Sequence, residues 1–174
     1  MLNVGADGSP GLSLFDQNGK KRSVLATLAD GTPVLVLFDQ NGKLRAGLVL
    51  GADGTPGLAL RDQNGKKRAG LVVVADGRPG LHLYDQNEKT RAGLGVLADG
   101  TPGLDLFDQN EKIRLLLGVD TRGPSLVLLD ENQKGRAVLG HTALEATPTG
   151  TVEQRPASSL VLFDRDGKVI WRVP

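Results

Sequence analysis

The sequence predicts an all-β protein: seven tandem 23-residue β-hairpin repeats forming an elongated meander of about 14 strands, packed through one apolar face. Three observations carry that expectation. A phrase cleanest at Ala52 to Val74, ADGTPGLALRDQNGKKRAGLVVV, starts at Ala6, Ala29, Ala52, Ala75 and Ala98, each start 23 residues after the last. Each copy holds two short runs in which apolar residues alternate with others. Each run is fenced by Asn-Gly or Asp-Gly, the dipeptides of tight hairpin turns. The recurring Gly and Pro exclude helix.

In chain order, Leu2 and Val4 occupy the places that Leu25 and Thr27 hold one repeat later. The chain therefore begins in mid-repeat, as expected of a product trimmed from a longer protein. The first full copy offers a strand over Gly11–Phe15 and a second over Arg22–Thr27. Between them, Asn18-Gly19 predicts an even, two-residue turn of type I′, pairing Leu14 with Ser23, Leu12 with Leu25 and Phe15 with Arg22. A three-residue loop would set Leu14 against Arg22 and mix the two faces. Glu88, Glu111 and Gln133 replace the turn glycine in three copies. They imply either a strained φ > 0 or a four-residue loop. The second turn must be odd to keep Leu35 on the face of Leu25. Ala29-Asp30-Gly31 suits a type I turn closed by a glycine bulge, with Gly8, Gly31, Gly54, Gly77, Gly100 and Gly123 in that place.

The pattern weakens toward the C-terminus. Asp130 follows Asp108 by 22 residues, so copy six has lost one. Residues 141–158, HTALEATPTGTVEQRPAS, read as an irregular arm or loop between a regular array (1–140) and a capping hairpin (159–174). Trp171 stands where other copies carry Ala. Sealing the end of the array and stacking a ligand are its two readings, capping being favoured.

Parity places Leu12, Leu14, Leu35, Leu37, Leu58, Leu60, Leu71, Leu81, Leu83, Leu94, Leu104, Leu106, Leu117 and Trp171 on one apolar face. Burying a leucine is worth about 1.5–3 kcal/mol, so that face must meet something. Self-association as a homo-oligomer is favoured, with a trimer, three chains around a narrow axis in a triangular β-prism, ahead of a fibre. A parallel β-solenoid and a closed barrel are the alternatives. The tight turns argue against a solenoid, whose corners must span two sheets about 10 Å apart.

The opposite face carries a row of aromatic and arginine residues: Phe15/Arg22, Phe38/Arg45, Tyr84/Arg91 and Phe107/Arg114. A glycan- or ligand-binding stripe and a self-satisfied cation–π ladder are its two readings, the second favoured. Asp164-Arg-Asp-Gly167 resembles the start of a calcium loop but lacks the later acidic ligand. Aspartate and asparagine suit the turn backbone on their own account. His82 and His141 have no partner at metal-ligand spacing. No cysteine is present, no G-x-S-x-G elbow occurs and the net charge is +1. These point away from an enzyme, a metal or other cofactor, and nucleic acid. No apolar run is long enough to cross a bilayer.

The phrase D-G-x-P-G-L-x-L-x-D-x-N-G-K-x-R-A-x-L and the ending RPASSLVLFDRDGKVIWRVP resemble an uncharacterised bacterial family of hairpin-repeat proteins. The resemblance covers the whole chain and implies an N-terminal membrane anchor, often followed by a coiled-coil-like segment, with the repeats outside the membrane. The 23-residue period is also similar to that of MORN repeats, but their Tyr, Trp and Gly pattern is absent. The resulting expectation is a non-enzymatic, extracytoplasmic structural protein that assembles with itself into a stalk or filament. A surface module for carbohydrate or another ligand, using the Phe/Arg row or the 141–158 arm, is the alternative.

Overall fold

The computed structural model describes residues 1–140, 142–146, 151–155 and 159–173. It is all-β, as the repeat predicts, and falls into two units, Met1–Lys89 and Thr90–Pro174. The first unit contains β1 (Leu2–Val4), β2 (Pro10–Phe15), β3 (Lys21–Thr27), β4 (Pro33–Phe38), β5 (Leu44–Leu50), β6 (Pro56–Arg61), β7 (Lys67–Val73) and β8 (Pro79–Tyr84). The second contains β9 (Thr90–Val96), β10 (Pro102–Phe107), β11 (Ile113–Asp120), β12 (Gly123–Leu129), β13 (Gly135–Gly140), β14 (Thr142–Ala146), β15 (Thr151–Arg155), β16 (Leu160–Phe163) and β17 (Val169–Val173). Within each unit the main-sheet strands lie side by side in chain order, all antiparallel, and the order does not close on itself. A parallel solenoid and a closed barrel are thereby set aside.

The strand bodies take the register that parity demands: Leu14 faces Ser23, Leu12 faces Leu25, and Leu25 faces Leu35. The first turn reaches that register by another route. Asp16 N–H donates to the Lys20 carbonyl at 2.9 Å and Gly19 N–H to the Asp16 carbonyl at 3.0 Å. This is a three-residue loop with Gly19 at φ 73°. An odd loop alone would mix the faces. A β-bulge restores them: Phe15 pairs with Lys21, not Arg22, and the register shifts between Leu14 and Phe15. Arg22 is the extra residue. The same shift recurs at Phe38, Arg61, Phe107, Leu129 and Phe163. The expected two-residue type I′ turn and the Phe15–Arg22 pair are therefore replaced by an odd loop plus a bulge.

Aspartate organises this loop. The Asp16 carboxylate accepts from the backbone N–H of Asn18 at 2.9 Å and of Lys20 at 3.0 Å. The pattern repeats at Asp39, Asp62, Asp85, Asp108, Asp130 and Asp164. Glu88, Glu111 and Gln133 keep the same loop and accept the strain, with φ of 63°, 60° and 64°. The second turn follows expectation: Leu28 N–H donates to the Thr32 carbonyl at 2.8 Å, and Gly31 closes the loop at φ 86°. Gly123 is the exception, because Asp120 pairs with it directly across Thr121 and Arg122. The residue lost from copy six is the one that made this turn odd.

The 141–158 segment, expected to be irregular, contains the antiparallel pair β14–β15, from Thr142 opposite Arg155 to Ala146 opposite Thr151. These strands belong to no other sheet. His141 lies outside the described residues. The segment stands in the place of a second turn. Gly140 N–H donates to the Ser159 carbonyl at 2.8 Å, as Leu28 does to Thr32 elsewhere, and the Ser159 hydroxyl returns a bond to the Gly140 carbonyl at 2.9 Å. β13 and β16 then pair in normal parity, Leu139 opposite Leu160. Only glycine fits at 140: φ is 104° and a Cβ would lie 2.1 Å from the Pro124 carbonyl oxygen.

Among the described residues the only buried hydrophobic side chains are Val138 and Val161, which face one another across β13 and β16. Among the described residues no conventional core surrounds the leucines.

Candidate assembly face

Cross-strand partners share a face, so the ladders can be read directly as rows. In the first unit one row is unbroken leucine: Leu2, Leu12, Leu25, Leu35, Leu48, Leu58, Leu71 and Leu81. The row beside it alternates: Leu14, Ser23, Leu37, Ala46, Leu60, Ala69, Leu83. In the second unit the rows are Leu94, Leu104, Leu117, Leu126, Leu139, Leu160, Val173 and Ala92, Leu106, Leu115, Leu128, Ala137, Leu162, Trp171. Every leucine assigned to the apolar face thus lies in one of two rows per unit, and Trp171 ends the last of them. No charged residue interrupts them.

The apolar face is the more open of the two. Leu14 is 54%, Leu60 46%, Leu71 48% and Trp171 47% exposed. The opposite face mixes glycine, serine and alanine with Val24, Val36 and His82 and is better covered; Ser13 is only 5% exposed. Long side chains fold across it. A Cβ at Gly70 would lie 2.9 Å from Lys67 Cε and 3.6 Å from the Tyr84 hydroxyl.

The expected aromatic–arginine ladder is replaced by an aspartate–arginine one. Among the bulge arginines, Arg22 turns to Asp16, which opens its own hairpin, at 3.7 Å, Arg45 to Asp39 at 3.4 Å, Arg114 to Asp108 at 2.5 Å, and likewise Arg68 to Asp62 and Arg136 to Asp130. Several of them also donate to a carbonyl on the next hairpin. Arg45 Nε reaches the Arg61 carbonyl at 2.9 Å; Arg68, Arg91 and Arg136 reach those of Asp85, Asp108 and Asp164. Among the described residues the cation over an aromatic ring is a lysine, Lys67 Nζ at 4.5 Å from the Tyr84 centroid. Phe15, Phe38, Tyr84 and Phe107 stand at the strand ends beside this network, Phe15 being 45% exposed.

These contacts act on the aspartates. Acceptance of the backbone N–H four residues on is the leading cause holding the carboxyls of Asp16, Asp39, Asp108, Asp130 and Asp164 below the usual range, with the arginine charges adding to it. Asp105, opposite Gly93 and Leu116, moves the other way because burial penalises its charge.

Sequence reasoning missed a second set of links. The side chains at φ > 0 reach back to the preceding repeat. Glu88 accepts from Lys67 N–H at 2.9 Å and pairs with Lys66 Nζ at 3.3 Å, and Glu111 accepts from Thr90 N–H at 3.3 Å. Gln133 donates to the Ile113 carbonyl at 2.9 Å. The signal is present in the spacing, since each lies 20 to 22 residues after its partners, but it is readable only once neighbouring hairpins are known to pair.

Among the described residues no group of three or more His, Asp or Glu side chains is placed to hold a metal ion. His82 lies on the face opposite the leucine rows, its ring 6.4 Å from that of Tyr84.

No family model matches the chain and no curated protein matches it significantly. Solved structures with some likeness include a variant TCP10 domain of Danio rerio CPAP, at 17% identity and TM-score 0.41 over 99% of this chain and 98% of that one. The SAS-4 (dCPAP) TCP domain of Drosophila melanogaster, solved in complex with a proline-rich motif of Ana2, is 12% identical with TM-score 0.31 over 71% and 84%. A porin-like protein from Bacteroides uniformis is 13% identical with TM-score 0.25 over 97% and 83%. Likeness at these values assigns no function.

Proposed function

We propose that the protein is a non-enzymatic structural element that assembles with copies of itself through the leucine face, as a stalk or filament component at the cell surface. One observation carries the assembly: two uncharged apolar rows in each unit, standing half-exposed on one face of a sheet. Covering a half-exposed leucine is worth about 1 kcal/mol. One eight-stranded unit, with strands about 4.8 Å apart and about 20 Å long, offers a face of roughly 700 Å². That is close to the about 800 Å² per partner of a standard stable interface. An apolar patch of this size on a soluble chain marks an interaction site. The arginine row is committed to its own turns, which favours the leucine face over it as the contact surface. The cell-surface placement rests on the family resemblance. Among the described residues no helix is long and apolar enough to cross a membrane.

A three-chain prism and a two-chain sandwich would both cover the face, and their masses differ. Light scattering on the purified chain at micromolar concentration is expected to read a multiple of 18.3 kDa. A single particle of 18.3 kDa would overturn the proposal.

A further inference from the structure

The relief of the leucine face says more than its polarity. In the first unit the second row alternates large and small on successive strands, with Leu37 and Leu60 standing between Ser23, Ala46 and Ala69. Strands about 4.8 Å apart therefore carry a knob every second strand, with a notch of similar width between knobs. The repeat imposes this, because its first run supplies leucine at that position and its second supplies alanine or serine.

We propose that the occupant of this face is a second copy of the same chain, seated face to face with a one-strand offset, so that each copy's leucine knobs enter the other's alanine notches. This rests on the self-association proposed above and gives it a geometry. A two-fold axis along the strand direction, midway between two strands, produces that offset for both copies at once. The contact is then isologous and closed. The face is self-complementary in shape and carries no charge, so a copy of itself meets no desolvated ionic group. Interdigitation of alternating large and small side chains is how paired sheets exclude voids. In the second unit Leu115 takes a notch position and Trp171 another, so the alternation is regular in the first unit.

The test fills the notches. Ala46→Leu with Ala69→Leu adds apolar area while removing the relief. The fold accommodates the change, because Leu115 already occupies the corresponding place beside Leu128. Sedimentation equilibrium is expected to show dimerisation of the double variant weakened by about tenfold or more, with unchanged circular dichroism. A four-fold variant that also carries Leu37→Ala and Leu60→Ala inverts the relief and is expected to regain dimerisation. If filling the notches leaves association equal or stronger, the knob-and-notch contact is wrong while self-association stands. A trimeric unaltered chain would likewise overturn the knob-and-notch contact and leave self-association standing. A monomeric unaltered chain removes both readings together.

Discussion

At the residue scale, Asp39, Asp62 and Asp130 each do three things with one carboxylate. Each closes its loop through two backbone N–H groups, holds the bulged arginine, and through that arginine ties its hairpin to the next. The depressed carboxyl values of Asp16, Asp39, Asp108, Asp130 and Asp164 have a defined consequence for stability. A carboxyl held lower in the folded than in the unfolded chain contributes stability that is complete above its unfolded value, near 3.8. That contribution is lost as pH falls through the folded value. Melting temperature is therefore expected to be level between about pH 5 and 7 and to fall progressively below about pH 4, followed by circular dichroism. A second residue-scale prediction separates strain from latch at Glu88. Glu88→Ala keeps the φ of 63° and loses the bonds to Lys66 and Lys67. It should lower the midpoint of urea unfolding. Glu88→Gly loses the same bonds but relieves the backbone, and should fall closer to the unaltered chain.

At the scale of the element, the hairpin is largely legible in the sequence and its turn is not. Strand positions and face pairing follow from side-chain alternation, which the leucine and glycine spacing displays openly. Parity has a blind spot, however. An even loop, and an odd loop followed by a one-residue bulge, put the same residues on the same faces. Phe15 opposite Arg22 and Phe15 opposite Lys21 therefore look identical from Leu12 and Leu14. Hydrogen bonds distinguish them, and the turn aspartate tips the balance by capping the odd loop. The strands of the 141–158 segment escape a sequence reading because TALEA and TVEQR mix charged and small residues without a leucine rhythm. Since Gly140 and Ser159 occupy the two ends of an ordinary second turn, replacing residues 141–158 with Ala-Asp-Gly should preserve the main sheet. Far-ultraviolet circular dichroism would keep its strand signature in that variant; loss of the signature would show that the insertion is needed to pair β13 with β16.

At the scale of the whole molecule, the sequence announces a face in need of cover, and that face is uncovered in each unit of the single chain. What covers it cannot be read from composition, because composition does not say whether a leucine row meets its own sheet, another sheet or another chain. The tight odd turns and the in-order antiparallel pairing leave each leucine row on one side of a single sheet. Val138 and Val161 supply the only buried apolar pair among the described residues, so most leucines contribute well below their full burial value in the isolated chain. The central claim is that these rows are the assembly surface. Its most direct test is the mass of Leu71→Asp, a charge placed in the middle of the unbroken leucine row at a position 48% exposed in the single chain. Light scattering should report a fall from the oligomer to 18.3 kDa with the strand signature retained; an unchanged oligomeric mass with unchanged circular dichroism would contradict the claim.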